Sequence, residues 1–133
     1  MLGKLLKTLL LMVILFAICV PSCLAKAKGY CYVVAYSYGQ KVFVFTPVFT
    51  KMVNDKSYNE EEFIVDVELI QKMESSFQSH VRDTLNIDAP DLTVSARMAY
   101  KSLQIAKARL DTEKQEYIRK AWEIKEASGF IFE

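Results

Sequence analysis

A thiol beside an imidazole would be the simplest catalytic pair available to this sequence, because the imidazole can draw off the thiol proton and leave a nucleophilic thiolate. The 133 residues contain one histidine, His80, and three cysteines, Cys19, Cys23 and Cys31. Cys31 falls in a run of Tyr, Val and Ala that reads as a strand, and His80 falls near the end of a helical pattern. Nothing in their spacing brings them together. A small thiol-dependent enzyme using Cys31 and His80 is therefore an alternative reading; simpler roles are a small buried strand residue for Cys31 and a helix-end residue facing the dipole for His80.

Other chemistries find less support. One histidine and scattered cysteines cannot fill a tetrahedral metal site, so no metal is expected. The acidic run Glu60-Glu61-Glu62 is explained by a helix start, where the macrodipole favours negative charge. With 4 glycines in all and no glycine-rich loop, no phosphate cradle and no cofactor is expected. These absences lead to an expectation of no catalytic residues.

Location is more legible. Lys4 and Lys7 precede an uncharged apolar run from Thr8 to Val20, Pro21 breaks it, and Ser22-Cys23-Leu24-Ala25 supplies small residues where a leader peptidase reads. Residues 1–25 are read as a signal peptide and 26–133 as a single α+β domain, with cleavage after Ala25 or Ala27. The apolar run is short for a membrane-spanning helix, which needs roughly 20 residues. A loose lipobox, Val20-Pro21-Ser22-Cys23, makes lipidation at Cys23 the rival outcome. Once the leader is removed Cys31 stands alone, so no internal disulfide is expected. The 17 basic residues less Lys4 and Lys7 leave 15 against 16 acidic ones, a charge of −1 that offers no basic footprint for nucleic acid.

The elements that must position any site follow from periodicity. Tyr30–Tyr38 and Lys41–Phe49 form a hairpin about Gly39-Gln40, with Gly39 supplying the positive φ of a type II′ turn. Alternation then places Tyr36 opposite Phe43, Val34 opposite Phe45 and Tyr30 opposite Phe49. One face becomes aromatic: Tyr30, Tyr32, Tyr36, Tyr38, Phe43, Phe45 and Phe49. Those seven residues are the candidate interaction surface, because the other face, with Cys31, Val33, Ala35, Val42, Val44 and Val48, is apolar too, and helices on one side cover only one of them; the alternative is that the aromatics are the core and edge loops shield the slimmer face. Pro47 marks an edge or bulge.

Ser57 with Glu60, or Asn59 with Glu62, resembles a capping box, which predicts a helix over 60–85 carrying Phe63, Val67, Ile70, Met73, Phe77 and Val81 on one stripe. Residues 63–67 are β-branched enough to begin as a strand instead. Leu92–Tyr100 alternates as a half-buried strand, Ser102 caps a second helix to Trp122, and 123–132 closes as a strand. The order β-β-α-β-α-β predicts an α+β, ferredoxin-like two-layer sandwich: a four-stranded, mostly antiparallel sheet with two helices on one face.

The functional expectation is an exported, non-catalytic binding protein of the bacterial periplasm or cell surface, in an inhibitor, immunity-type or envelope accessory role. Its partner would be a protein, not nucleic acid, and its membrane contact would be limited to the leader or a Cys23 anchor. A lipid-anchored structural envelope protein is a further alternative.

Overall fold

The computed structural model describes residues 25–133 together with Gly3; the signal-peptide reading of residues 1–25 and the lipidation reading of Cys23 fall, but for Gly3 and Ala25, outside the described residues. Strand β1 spans Lys26–Ser37, β2 Val42–Phe45, β3 Phe49–Asn54, β4 Thr93–Tyr100 and β5 Glu123–Glu126; helix α1 spans Val67–Asp83 and α2 Leu103–Arg119. The chain is α+β, with a mostly antiparallel sheet on which both helices pack.

Strand β1 is the axis of the sheet. One of its edges pairs with β2 and then with β3, both antiparallel, and the other edge pairs antiparallel with β4. Beyond β2 lies β5, which is parallel to it. The closing strand is thus limited to Glu123–Glu126; residues after it turn back, and Phe130 packs on the Phe77 ring at 5.0 Å.

Two details differ from the sequence reading. The sheet has five strands, because the second hairpin arm breaks into β2 and β3 at Thr46-Pro47-Val48. Each helix also takes its own face. Met73, Phe77 and Val81 of α1 pack on Val33, Ala35, Val42 and Val44. Ala106, Leu110 and Tyr117 of α2 pack on Tyr32, Val34, Phe43 and Phe45. The reason lies in the connections. Helix α1 carries the chain from β3 across β1 to β4, and α2 carries it back from β4 across β1 and β2 to β5, each linking parallel strands. Crossovers of parallel strands are almost always right-handed, and two crossovers of one hand running in opposite directions lie on opposite faces. A hairpin with two apolar faces meets its requirement internally.

The strand break sorts side chains. Before it the register pairs Tyr36 with Phe43 and Val34 with Phe45, as alternation predicts. After it Cys31 pairs with Phe49 and Tyr30 with Thr50, so Phe49 has slipped by one residue onto the α1 side. At the break the Thr46 hydroxyl accepts a hydrogen bond from the Val33 amide at 3.0 Å, and the Thr46 amide donates to the Val33 carbonyl at 3.0 Å. The Thr46 side chain thereby supplies the acceptor that the buried Val33 amide would otherwise take from a backbone carbonyl of the opposite strand.

The hairpin turn is held from outside. It spans residues 38–41, and Lys41, at φ 51°, takes the left-handed conformation expected of Gly39. Asp91, at the entrance to β4, accepts from the Ser37 hydroxyl at 2.6 Å and the Gly39 amide at 2.9 Å, while Ser37 Oγ accepts from the Gln40 amide at 3.1 Å. These partners stabilise a four-residue loop over the two-residue type II′ turn.

Helix α1 begins at Val67, not at residue 60. The Asn59 and Glu62 side chains do pair, at 2.9 Å, and Asn59 Oδ1 accepts from the amides of Glu61 and Glu62, but they cap a turn. The backbone beyond is claimed by β4: the Phe63 amide donates to the Ala99 carbonyl and the Lys101 amide to the Glu61 carbonyl. Extended Ile64 and Val65 then lead to Asp66 as N-cap. Helix α2 has the expected cap, with Ser102 Oγ accepting from the Ile105 amide at 3.2 Å. It ends in a Schellman arrangement: the Trp122 amide donates to the Tyr117 carbonyl and the Ala121 amide to the Ile118 carbonyl, with Ala121 at φ 57° where glycine is usual.

Candidate functional site

Between α2, the end of β4 and the loop over residues 57–63 lies a polar cleft of about 510 Å³. Its floor comes from the sheet: Tyr32 of β1 and Tyr100 of β4, whose rings stack with centroids 6.1 Å apart and planes at 12°. Arg97 is on the same face because it pairs with Tyr32 across the ladder. Arg109, Thr112 and Glu113 of α2 form one wall, since residues three and four apart share a helix face. Asn59, Glu61 and Glu62 of the loop form the other.

Two ion pairs order these groups. In the floor, Glu113 Oε1 accepts from Arg97 Nε at 2.8 Å and from the Tyr32 hydroxyl at 3.2 Å, and Arg97 also donates to Ser95 Oγ at 2.8 Å. At the mouth, Arg109 donates to Glu61 Oε2 at 2.5 Å and so ties the loop to the helix. Glu62 has the Asn59 amide and no cationic partner among the described residues. Burial, reinforced by the Glu113 carboxylate, pushes the Tyr32 hydroxyl well above the usual tyrosine range, and burial likewise raises Tyr100. Desolvation opposes the Arg97 charge, but Glu113 outweighs it and holds the guanidinium above its ordinary value. The floor therefore consists of neutral phenols and a fixed ion pair at physiological pH. Such a site offers hydrogen bonds and paired charge; its phenols are poor proton carriers near neutrality.

The residues picked out by sequence fall into distinct places. Phe43 and Phe45 are buried in the core under α2 and do not belong to a surface, and Tyr32, buried with them, reaches the cleft only as its floor, where its hydroxyl meets Glu113. Helix α2 covers the face that one-sided helices would have left bare. Phe49 is on the opposite face, as the register slip requires. Tyr30 and Tyr36 are half-buried, and Tyr38 is 59% exposed. Tyr38 meets Trp122 edge to face at 4.9 Å, and Trp122 meets Tyr117 at 4.8 Å, with the Lys120 ammonium over all three rings at 5.2 to 5.8 Å.

Cys31 is fully buried in a third cluster with Val53 and Ala99. Burial pushes its thiol up to about 12, which leaves almost no thiolate at neutral pH. His80, in the last turn of α1, stacks on Phe77 and meets Phe130 edge to face, and it shares no hydrogen bond with Cys31. Among the described residues no group of three or more His, Cys, Asp or Glu side chains is placed to hold a metal ion, and no helix is long and apolar enough to cross a membrane.

Sequence reasoning missed the Arg97–Glu113 pair, although a signal existed. Glu113 follows Ala106 and Leu110 and precedes Tyr117 at helical spacing, so a carboxylate sits in line with the buried stripe of α2. A charge on such a stripe needs a partner, and Arg97 is the strand residue facing it. No family model matches the chain, and neither a curated protein nor a solved structure matches it.

Proposed function

We propose that this chain is an exported, non-catalytic binding protein of the bacterial periplasm or cell surface, in an inhibitor, immunity-type or envelope accessory role. Its contact surface is the cleft on the α2 face. The observation that carries this reading is the composition of the cleft: donors and acceptors in satisfied pairs over two stacked tyrosines. Pre-formed polar groups around a concave floor suit recognition. The thiol reading, by contrast, would have to activate a sulfur held protonated in the core.

The test is affinity capture from envelope extract of the host with three forms of the chain: unsubstituted, Cys31→Ala and Arg109→Glu. Binding through the cleft predicts that Cys31→Ala captures the same partner and that Arg109→Glu loses it, with both variants folded by circular dichroism. Loss of the activity with Cys31→Ala alone would favour the thiol enzyme. Export is read from the intact mass. A soluble species beginning at Lys26 or Lys28 supports a free exported domain, and an acylated species beginning at Cys23 supports the membrane-anchored form.

A further inference from the structure

The charges around the cleft do not balance. Three carboxylates, Glu61, Glu62 and Glu113, line the cleft with two guanidiniums, Arg97 and Arg109, and Glu62, held by the Asn59 amide, is the one without a salt-bridge partner among the described residues. A ligand with a positive centre can pair with Glu62 without breaking any existing contact. A ligand with only a negative centre must displace a carboxylate from an arginine and adds to the excess negative charge. The two arginines are not equivalent as anion receptors. The Arg97–Glu113 pair is the more enclosed, with side chains 37% and 24% exposed, and Tyr32 holds it as well. The Arg109–Glu61 pair is looser, at 56% and 46%, so Glu61 can be released into water when another carboxylate takes its place.

From this we infer that the cleft takes a small zwitterion of the α-amino acid type, its ammonium on Glu62 and its carboxylate on Arg109 in exchange for Glu61. The inference rests on the reading of the cleft as a binding site and adds the ligand's chemistry to it. Both exchanged contacts are charge-assisted hydrogen bonds, which are stronger than neutral ones. Release of Glu61 removes the direct tie between the loop over residues 57–63 and α2, and the ligand replaces it as a bridge from Glu62 to Arg109.

The experiment is a backbone-amide NMR titration of the isotope-labelled chain with three equimolar pools: proteinogenic α-amino acids, the amines obtained by removing their carboxyl groups, and the acids obtained by removing their amino groups. The amino acid pool shifts amides of Asn59–Glu62 and of Arg109–Glu113. The amine pool shifts the Asn59–Glu62 set more weakly, and the acid pool moves neither. Glu62→Gln weakens the amino acid response at least about tenfold, and Arg109→Gln reduces it to that of the amines. An acid pool equal to the amine pool, an unchanged response in Glu62→Gln, or no site-specific shift with amino acids overturns the inference. In that last case host envelope extract is added as the probe. Shifts at the same amides then keep the cleft as a binding site and reject only the zwitterion, whereas silence rejects both.

Discussion

The two faces of the sheet are built from one hairpin and differ in almost every physical respect. Under α1 the sheet contributes aliphatic side chains, Val33, Ala35, Val42 and Val44, which meet Met73, Phe77 and Val81, with Phe49, Phe130 and Phe132 packed at the margin. Under α2 the contacts are aromatic and grade into charge, from Phe43 through the stacked Tyr117 ring at 4.4 Å to the Tyr32, Arg97 and Glu113 cluster. The α1 face is held mainly by apolar burial, with few polar contacts such as that of the Ala96 amide with Glu74. A face with satisfied polar groups near its rim combines burial with hydrogen bonding and leaves donors and acceptors at the surface. The difference teaches that the α1 face is built mainly for apolar burial, whereas the α2 face holds the ion pairs and phenols on which the proposed recognition depends.

The contrast can be broken most severely at Phe77. Phe77→Ala removes a fully buried ring from the aliphatic face and should cost about 3–5 kcal/mol, read by chemical denaturation; a cost under about 1 kcal/mol would mean that the α1 face is not the stabilising one. Thr46→Val comes next. It leaves the buried Val33 amide without its side-chain acceptor, and the expected loss is about 1–3 kcal/mol, with new solvent exchange at that amide. If stability is unchanged, the strand break that sorts Phe49 onto the α1 side does not depend on this contact.

Glu113→Gln tests the polar face directly. The pair is only partly enclosed, so the loss should be about 1–2 kcal/mol, below that of a buried pair and above that of a surface one; thermal melts at low and high salt separate its charge from its packing. Ala121→Gly sharpens the same face. It relieves a left-handed alanine at the end of α2 and should stabilise by about 0.5–1 kcal/mol, with the Tyr117–Trp122 contact intact by fluorescence.

At neutral pH the smallest effect belongs to the phenols, and it emerges on raising the pH. Tyr32, Tyr100 and Tyr117 all have raised folded-state values, Tyr117 to about 12, with burial as the first cause. A raised value means that their contribution is fully present below the unfolded tyrosine value of about 10 and is lost as pH climbs toward the folded one. Tyrosinate absorbance should therefore lag for these rings and appear together with unfolding. A smooth titration of all the tyrosines near the ordinary value would show that the α2 face is wet.

Much of this architecture was legible from residues alone. Alternation gave the Tyr36–Phe43 and Val34–Phe45 pairs, Pro47 marked the break, and Ser102 announced its helix. The failures have physical causes. Two apolar hairpin faces suggested an uncovered surface, because the periodicity of a helix reports that it needs a face and not which one; the direction of the two crossovers decides that. The capping-box pattern at Asn59 and Glu62 is local chemistry that also suits a turn, and the bonds from the Phe63 amide to Ala99 and from the Lys101 amide to Glu61 are long-range contacts invisible to a window of residues. Of the site, the aromatic floor was partly anticipated through Tyr32, while Arg97 and Glu113 are 16 residues apart in sequence and meet only once α2 has crossed the sheet.

The most direct test of a divided molecule is hydrogen exchange measured by mass spectrometry on the chain alone and on the chain saturated with its captured partner or ligand. The account predicts slower exchange over residues 57–63 and 100–113 on binding, with α1 from Val67 to Asp83 unchanged. Protection confined to α1, or spread equally over both helices, would contradict the assignment of recognition to the α2 face.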